Sequence, residues 1–210
     1  MVAKFITVEG TEGVGKTTNI DFIQKWMKSR DIDFIATREP GGTPIAEEIR
    51  NVLLSPRDER VTNTAELLLM FAGRAQHLSE VIVPALESNQ WVLCDRFTDA
   101  TYAYQGCGRD MDEMLISQLE NIVQGDLRPD LTLLLDIPVE VGLQRAHHRS
   151  SPDRFEQEEF DFFNRVREGY LQLAENNPSR YTVIDASKDL ENVQANIESA
   201  LENFYRSLGA

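Results

Sequence analysis

The sequence predicts an α/β domain, a doubly wound parallel sheet of about five strands with helices on both faces. Three observations predict it. Strand-like and helix-like patterns alternate to the end of the chain. The run Leu131-Thr132-Leu133-Leu134-Leu135-Asp136 is nearly all apolar, which suits a strand buried on both faces of a parallel sheet. Finally, the first strand leads straight into a glycine-rich loop that opens a helix.

Lys4 to Glu9 reads as that first strand, and Ile20, Ile23, Trp26 and Met27 recur at helical spacing after the loop. Asp33 to Thr37 is a second short strand. Arg38 to Thr43 is a loop, followed by a helix carrying Ile45, Ile49, Val52 and Leu53. A long helix begins near Thr64 with Leu67, Leu68, Phe71, Leu78 and Ile82 on one face. Trp91 to Asp95 is the third strand, and Thr101 to Gln105 and Met111 to Val123 read as helical. The fourth strand precedes a helix from Val139 to His147, a break from His148 to Asp153, and a helix from Phe160 to Ala174. Tyr181 to Asp185 is the last strand and Leu190 to Leu208 the closing helix. No repeat or linker divides the chain, so residues 1–210 are expected to form one domain. In such folds ligands sit beyond the C-terminal strand ends, here Glu9, Thr37-Arg38, Asp95-Arg96, Asp136 and Asp185.

The loop Gly10-Thr11-Glu12-Gly13-Val14-Gly15-Lys16-Thr17 fits the phosphate-binding pattern G-x-x-x-x-G-K-[ST] and places the chain in the P-loop NTPase fold. Its glycines let the backbone curl so that N–H groups face phosphate oxygens. Lys16 reaches the β- and γ-phosphates, and Thr17 offers a hydroxyl to Mg²⁺. The helix that follows turns its positive end to the same anion.

With 21 Lys and Arg against 35 Asp and Glu, the net charge is −14, which disfavours polymeric DNA or RNA as a partner. Cys94 and Cys107 show no metal-ligand spacing and suggest no disulfide framework. No run is apolar enough for a signal peptide or a membrane span, so the expected location is cytoplasmic, with no membrane partner.

Three kinds of P-loop protein fit these facts. A GTPase switch would show D-x-x-G and N-K-x-D, and neither is present. A motor or nucleotide-regulated module needs no second anion site. A small-molecule kinase holds two phosphorylated ligands end to end and needs arginines at several strand ends and in a closing lid. Arg38, Arg74, Arg96, Arg109, Arg145, Arg149 and Arg154 meet that need.

The segments VEGTEGVGKTT, TREPGGT, LLLMFAGRAQH, CDRFTDATYAYQG and RPDLTLLLDIPVEVGLQRA, followed by DRFEQEEFDFFNRVREGYL, resemble the bacterial thymidylate kinase family in order over nearly the whole chain. The resemblance implies transfer of the γ-phosphoryl group of ATP to dTMP with Mg²⁺, in a homodimer. It implies ATP binding by residues 10 to 17 with Thr18 and, from the lid helix, Arg145. The adenine site would lie between Arg145 and the loop after Asp185.

For dTMP the resemblance implies Glu12 on the sugar 3′-hydroxyl, Arg96 and Arg38 on the phosphate, and Phe71 stacked on thymine. Arg74 would donate to a base carbonyl, Thr101 and Gln105 would read the base edge, and Tyr104 would lie against the deoxyribose. Arg50 would stand at the rim. Glu39 belongs to the same loop, and Glu39-Pro40 is a candidate cis peptide. Asp95 orients Arg96 or helps hold Mg²⁺, directly or through water. Some of the family carry a catalytic arginine inside the P-loop where this chain has Gly13. The arginine must then come from the lid, residues 145–156, with Arg149 and Arg154 as candidates, and Arg145 next, beside the catalytic Lys16 and Arg96. Ala100, where many relatives have serine, is a departure in the pocket.

Overall fold

Strands β1 (Phe5–Glu9), β2 (Phe34–Arg38), β3 (Trp91–Asp95), β4 (Leu131–Asp136) and β5 (Tyr181–Asp185) form one sheet ordered β2-β3-β1-β4-β5 in a computed structural model, which describes residues 2–147, 153–156 and 158–209. All four pairings are parallel, with Ile6 opposite Leu93 and Leu131. The chain winds from β1 toward one edge and then, after β3, toward the other. Neighbouring strands β1 and β3 therefore leave the sheet in opposite directions, which opens a crevice at their C-terminal ends.

Alternation along the strands separates two cores. Ile6, Val8, Leu133 and Leu135 face Ile23 and Met27 of α1 (Lys16–Lys28) and Ile197 and Leu201 of α9 (Leu190–Ser207). On the other face Leu134 meets Phe163, Val166 and Tyr170 of α8 (Phe160–Asn176), while Phe5, Val92 and Cys94 meet Leu78, Ile82 and Phe97. Ile6, Ile23, Leu133 and Ile197 are wholly buried, and each such burial stabilises the fold by about 1.5–3 kcal/mol.

Helix α2 (Pro44–Leu54) starts with Pro44 at its first turn and Thr43 as cap, the Thr43 hydroxyl accepting from Ala46 N–H at 3.1 Å. The long helix expected from Thr64 begins at Asn63, capped by Thr62, and is not one regular helix. It runs as α3 (Asn63–His77), a π-helical turn (Leu78–Ile82) and α4 (Val83–Glu87). Pro84 has no N–H for the carbonyl of Glu80, which removes one α-helical bond there. The expected helix at Thr101 to Gln105 is a short α5 (Thr98–Thr101) continued by a π-helical segment, Tyr102–Gly108. Helix α6 (Glu113–Gln124) is capped by Asp112, and α7 (Val139–His147) leads toward the expected lid. Among the described residues no helix is long and apolar enough to cross a membrane.

Candidate active site

A cavity of about 290 Å³ lies at the C-terminal ends of β1, β2 and β3. It gathers Glu12 to Thr17 of the loop, Arg38 and Glu39 at the end of β2, Arg74 of α3, Asp95 and Arg96 at the end of β3, and Thr101, Tyr104 and Gln105. These positions are far apart in sequence, and the crossover order of the sheet is what brings them together.

The loop adopts the left-handed conformations expected of its glycines, with φ of 74° at Gly13 and 87° at Gly15, the cap of α1. A Cβ on Gly13 would stand 1.9 Å from the carbonyl oxygen of Gly142 in α7, so this position is closed to any side chain, an arginine included. Lys16 Nζ donates to the carbonyls of Gly10 and Thr11 at 3.1 and 3.2 Å. Burial, aided by Arg96, lowers its pKa to about 8. Gly10, Thr11 and Thr18 do not line the cavity.

Arg96 sits in the left-handed region at φ 67°, which costs a non-glycine residue roughly 1–2 kcal/mol. Its Nη2 donates to Glu12 Oε1 at 2.9 Å, to Tyr104 Oη at 2.8 Å and to the Gly10 carbonyl at 3.2 Å. The Tyr104 hydroxyl lies 2.7 and 2.8 Å from the two Glu12 oxygens. Burial alone would raise the Glu12 carboxyl, but Arg96, Lys16 and the hydrogen bonds outweigh it, and its pKa falls below the usual value. Glu12 is thus held ionised inside the site.

Glu9, expected at the ligand edge, is instead wholly buried beneath it. It accepts from Phe97 N–H at 2.7 Å and Tyr170 Oη at 2.8 Å, fixing the turn after β3. Burial, with Asp99 nearby, raises its pKa to about 8.

At the far end of the cavity Arg74 is 3 % exposed. Its Nε donates to Glu39 Oε2 at 2.7 Å and its Nη2 to Thr101 Oγ1 at 3.0 Å. Gln105 donates to Glu66 Oε1 at 2.8 Å. Phe71, the expected stacking ring, does not line the cavity: it is 2 % exposed and packs with Leu67 and Ile116 between α3 and α6. Met70, one residue earlier and one helical turn from Arg74, provides the apolar wall. The Glu39–Pro40 peptide is cis, as expected.

The remaining arginines divide. Arg38 pairs with Glu47 at 3.0 Å and Arg50 donates to the Pro40 carbonyl at 2.7 Å, both on the cavity. Arg145 Nη1 donates to the carbonyl of Ala186, just after β5, at 3.2 Å. Arg154 does not line the cavity, although Asp153 and Phe155 on either side of it do. Its Nε donates to the Leu53 carbonyl at 2.6 Å and its Nη2 to Glu66 Oε2 at 2.6 Å, so its guanidinium is committed to α2 and α3. Arg149, with His148 and the rest of 148–152, lies outside the described residues.

Five buried side-chain polar atoms among the described residues have no hydrogen-bond partner. Three of them, Arg74 Nη1, Asp95 Oδ1 and Arg96 Nε, belong to residues on this cavity. Such orphans are costly unless a ligand meets them. Asp95 and Thr17 both line the cavity, Asp95 with one carboxylate oxygen left without a partner, and their oxygens suit a hard divalent cation, which takes oxygen ligands.

Leu54, Met70, Phe97 and Phe155 line the cavity although the sequence did not mark them. One signal was available. Glu66, Met70, Arg74 and His77 lie at i, i+4, i+8 and i+11 along α3, a single face on which polar groups interrupt an apolar helix.

A family model described as "Thymidylate kinase" matches residues 8–197. The thymidylate kinase of Teredinibacter turnerae is 58% identical over 204 residues, covering 97% of this chain and 100% of that protein. The thymidylate kinase of Pseudomonas putida (strain F1) is 56% identical over 201 residues, covering 96% of each. Among solved structures, the crystal structure of thymidylate kinase from Ehrlichia chaffeensis matches with a TM-score of 0.77 at 33% identity, over 96% of this chain and 99% of that one.

Proposed function

The chain belongs to the thymidylate kinase family, and from that premise we propose how its residues share the work of moving the γ-phosphoryl group of ATP to dTMP. The activity is ATP-dependent phosphorylation of dTMP to dTDP. The observation that carries the residue assignment is the set of orphaned polar atoms at Arg74, Asp95 and Arg96 along one cavity that begins at the phosphate loop.

Phosphoryl transfer asks the protein for alignment and charge neutralisation. Lys16 and the loop amides gather the ATP phosphates, with Arg145 beside the nucleoside near the loop after β5. Arg96, with Arg38 and Arg50 at the rim, holds the dTMP phosphate, which is already anionic and needs no general base. Glu12 is ionised, so it can only accept, and it takes the hydrogen bond of the sugar 3′-hydroxyl while Tyr104 Oη steadies it. At the base end Arg74, Thr101 and Gln105 read the pyrimidine edge against Met70. Thr17 and Asp95 hold Mg²⁺, directly or through water, and the metal supplies neutralising charge to the phosphates. With position 13 closed and Arg154 anchored, Arg149 supplies the lid arginine.

The reading includes a homodimer and a cytoplasmic location. Ile45 and Val52 of α2 and Leu68 of α3 are 53%, 40% and 52% exposed on two helices that pack together, and supply an apolar face for a second copy. The test is ADP release from Mg²⁺-ATP with dTMP, dUMP, UMP, dCMP and AMP as acceptors. Strong preference for dTMP is expected. Equal turnover with a purine acceptor would refute the base end of the assignment.

A further inference from the structure

His77, the last residue of α3, contributes nothing to the cavity wall and is wholly buried. Both of its ring nitrogens are nevertheless engaged by side chains at the C-terminal end of β2 and just after it. Nδ1 lies 3.0 Å from Glu39 Oε1 and Nε2 lies 2.6 Å from Thr37 Oγ1. These two residues bracket Arg38. The other Glu39 oxygen accepts from Arg74 Nε at 2.7 Å, and Arg74 Nη2 goes on to Thr101 at 3.0 Å. A continuous chain thus runs from the half-buried Thr37 through the buried His77, Glu39 and Arg74 to Thr101.

We infer that His77 is a positioning residue for acceptor recognition: it holds the Glu39 carboxylate, which in turn fixes the plane of the Arg74 guanidinium. The inference deepens the thymidylate kinase reading and rests on it. An ionised carboxylate only accepts, so Nδ1 of His77 carries the hydrogen, and in the neutral ring Nε2 accepts from the Thr37 hydroxyl. Both Glu39 oxygens are then committed, one to each ring system. The guanidinium is held at two nitrogens by Glu39 and Thr101, and on its faces by the rings of Phe71 at 4.8 Å and Phe97 at 5.2 Å. The one nitrogen left over, Nη1, is buried and has no partner among the described residues. A planar donor clamped at two corners presents its third corner in a fixed direction, which is what a single acceptor carbonyl on a base requires.

The packing keeps the relay in register. A Cβ on Gly42, at φ 91°, would stand 2.4 Å from His77 Nε2. The backbone of the loop therefore packs closely against the imidazole. A histidine serving only to fill the core would leave the orientation of Glu39 to chance. Here Glu39 is 6 % exposed, so removing the imidazole takes away one of the few partners of a largely buried carboxylate.

The experiment is steady-state kinetics with dTMP and ATP varied in turn, on the full chain and on His77→Leu, His77→Asn, Arg74→Ala and the His77→Leu/Arg74→Ala double variant, with thermal melts of each. His77→Leu is expected to raise KM for dTMP about tenfold, the loss of about one hydrogen bond to a charged group, with KM for ATP unchanged and kcat little altered. His77→Asn, whose amide N–H can still donate to Glu39, recovers most of the loss. In the Arg74→Ala background His77→Leu adds nothing to KM for dTMP, because the residue through which it acts is gone. An unchanged KM for dTMP in His77→Leu, or a full additional loss in the Arg74→Ala background, overturns the inference. If His77→Leu does not fold, Glu39→Gln makes the same prediction, since a neutral amide cannot serve both neighbours as acceptor. Failure of the underlying reading looks different: the unaltered protein would then release no ADP with dTMP.

Discussion

Replacing Arg154 by Met separates an anchor from a catalytic arginine. The guanidinium makes two short hydrogen bonds, to the Leu53 carbonyl and to Glu66, and lies 4.4 Å from the centre of the Phe155 ring. A hydrogen bond involving a charged group contributes about 1.5–3 kcal/mol. Three features bring the cost to or below the lower end of the sum of the two. Arg154 is 15% exposed, so water replaces part of what is lost. The Met side chain keeps the stem packed on Phe155. Glu66 retains Arg109 at 3.2 and 3.3 Å and Gln105 at 2.8 Å. The expected loss is about 2–3 kcal/mol, which lowers Tm by about 4–12 °C in a chain of this size. The dTMP KM should rise modestly, because Glu66 also carries Gln105. Arg149→Ala should do the reverse, leaving Tm unchanged while cutting turnover by about 10³-fold or more. The assay is a thermal melt beside dTMP-dependent ADP release on both variants. If Arg154→Met melts with the unaltered protein and loses turnover a thousandfold, the anchoring argument is wrong and Arg154 is a finger.

Burial lowers the Lys16 pKa to about 8, and the charged form is the one that binds phosphate. Affinity for Mg²⁺-ATP should therefore hold steady up to about pH 8 and then fall by up to about tenfold per pH unit; titration calorimetry at fixed ionic strength from pH 7 to 9.5 reads this directly, and a flat profile would contradict it. Gly13→Ala should cost at least about 2 kcal/mol of stability and abolish ATP binding, since the new methyl meets the Gly142 carbonyl at 1.9 Å in a left-handed backbone. For the same reason Gly13→Arg should fail to rescue Arg149→Ala, and rescue would show that the loop can move away from α7.

Local patterns carried most of the fold. The strands end within one residue of their expected bounds, because apolar runs and the Gly10–Thr17 loop are set by neighbours in sequence. The misplacements share a cause. Phe71 and Met70 are adjacent, and both suit an apolar surface. Which one lines the cavity depends on the rotation of α3 against α6, a contact between segments more than 30 residues apart. The π-helical stretches at Leu78–Ile82 and Tyr102–Gly108 break the 3.6-residue period on which facing residues are counted, so a reading by period misjudges what lies beyond them. Arg154 has the composition of a lid arginine, but Glu66, an acidic residue on a distant helix, decides where its charge goes.

The sequence by itself determined the P-loop pattern, the parallel sheet and a roster of polar candidates for the site. Those follow from residue chemistry and spacing within a few turns of chain. Only the tertiary structure decided which of the polar groups face the cavity and which hold the others in place. Glu9, Glu39, Glu66 and His77 are buried and bonded to residues brought near by the β2-β3-β1-β4-β5 order. A buried polar group must find its partner wherever the fold puts one, and no local pattern records where that is.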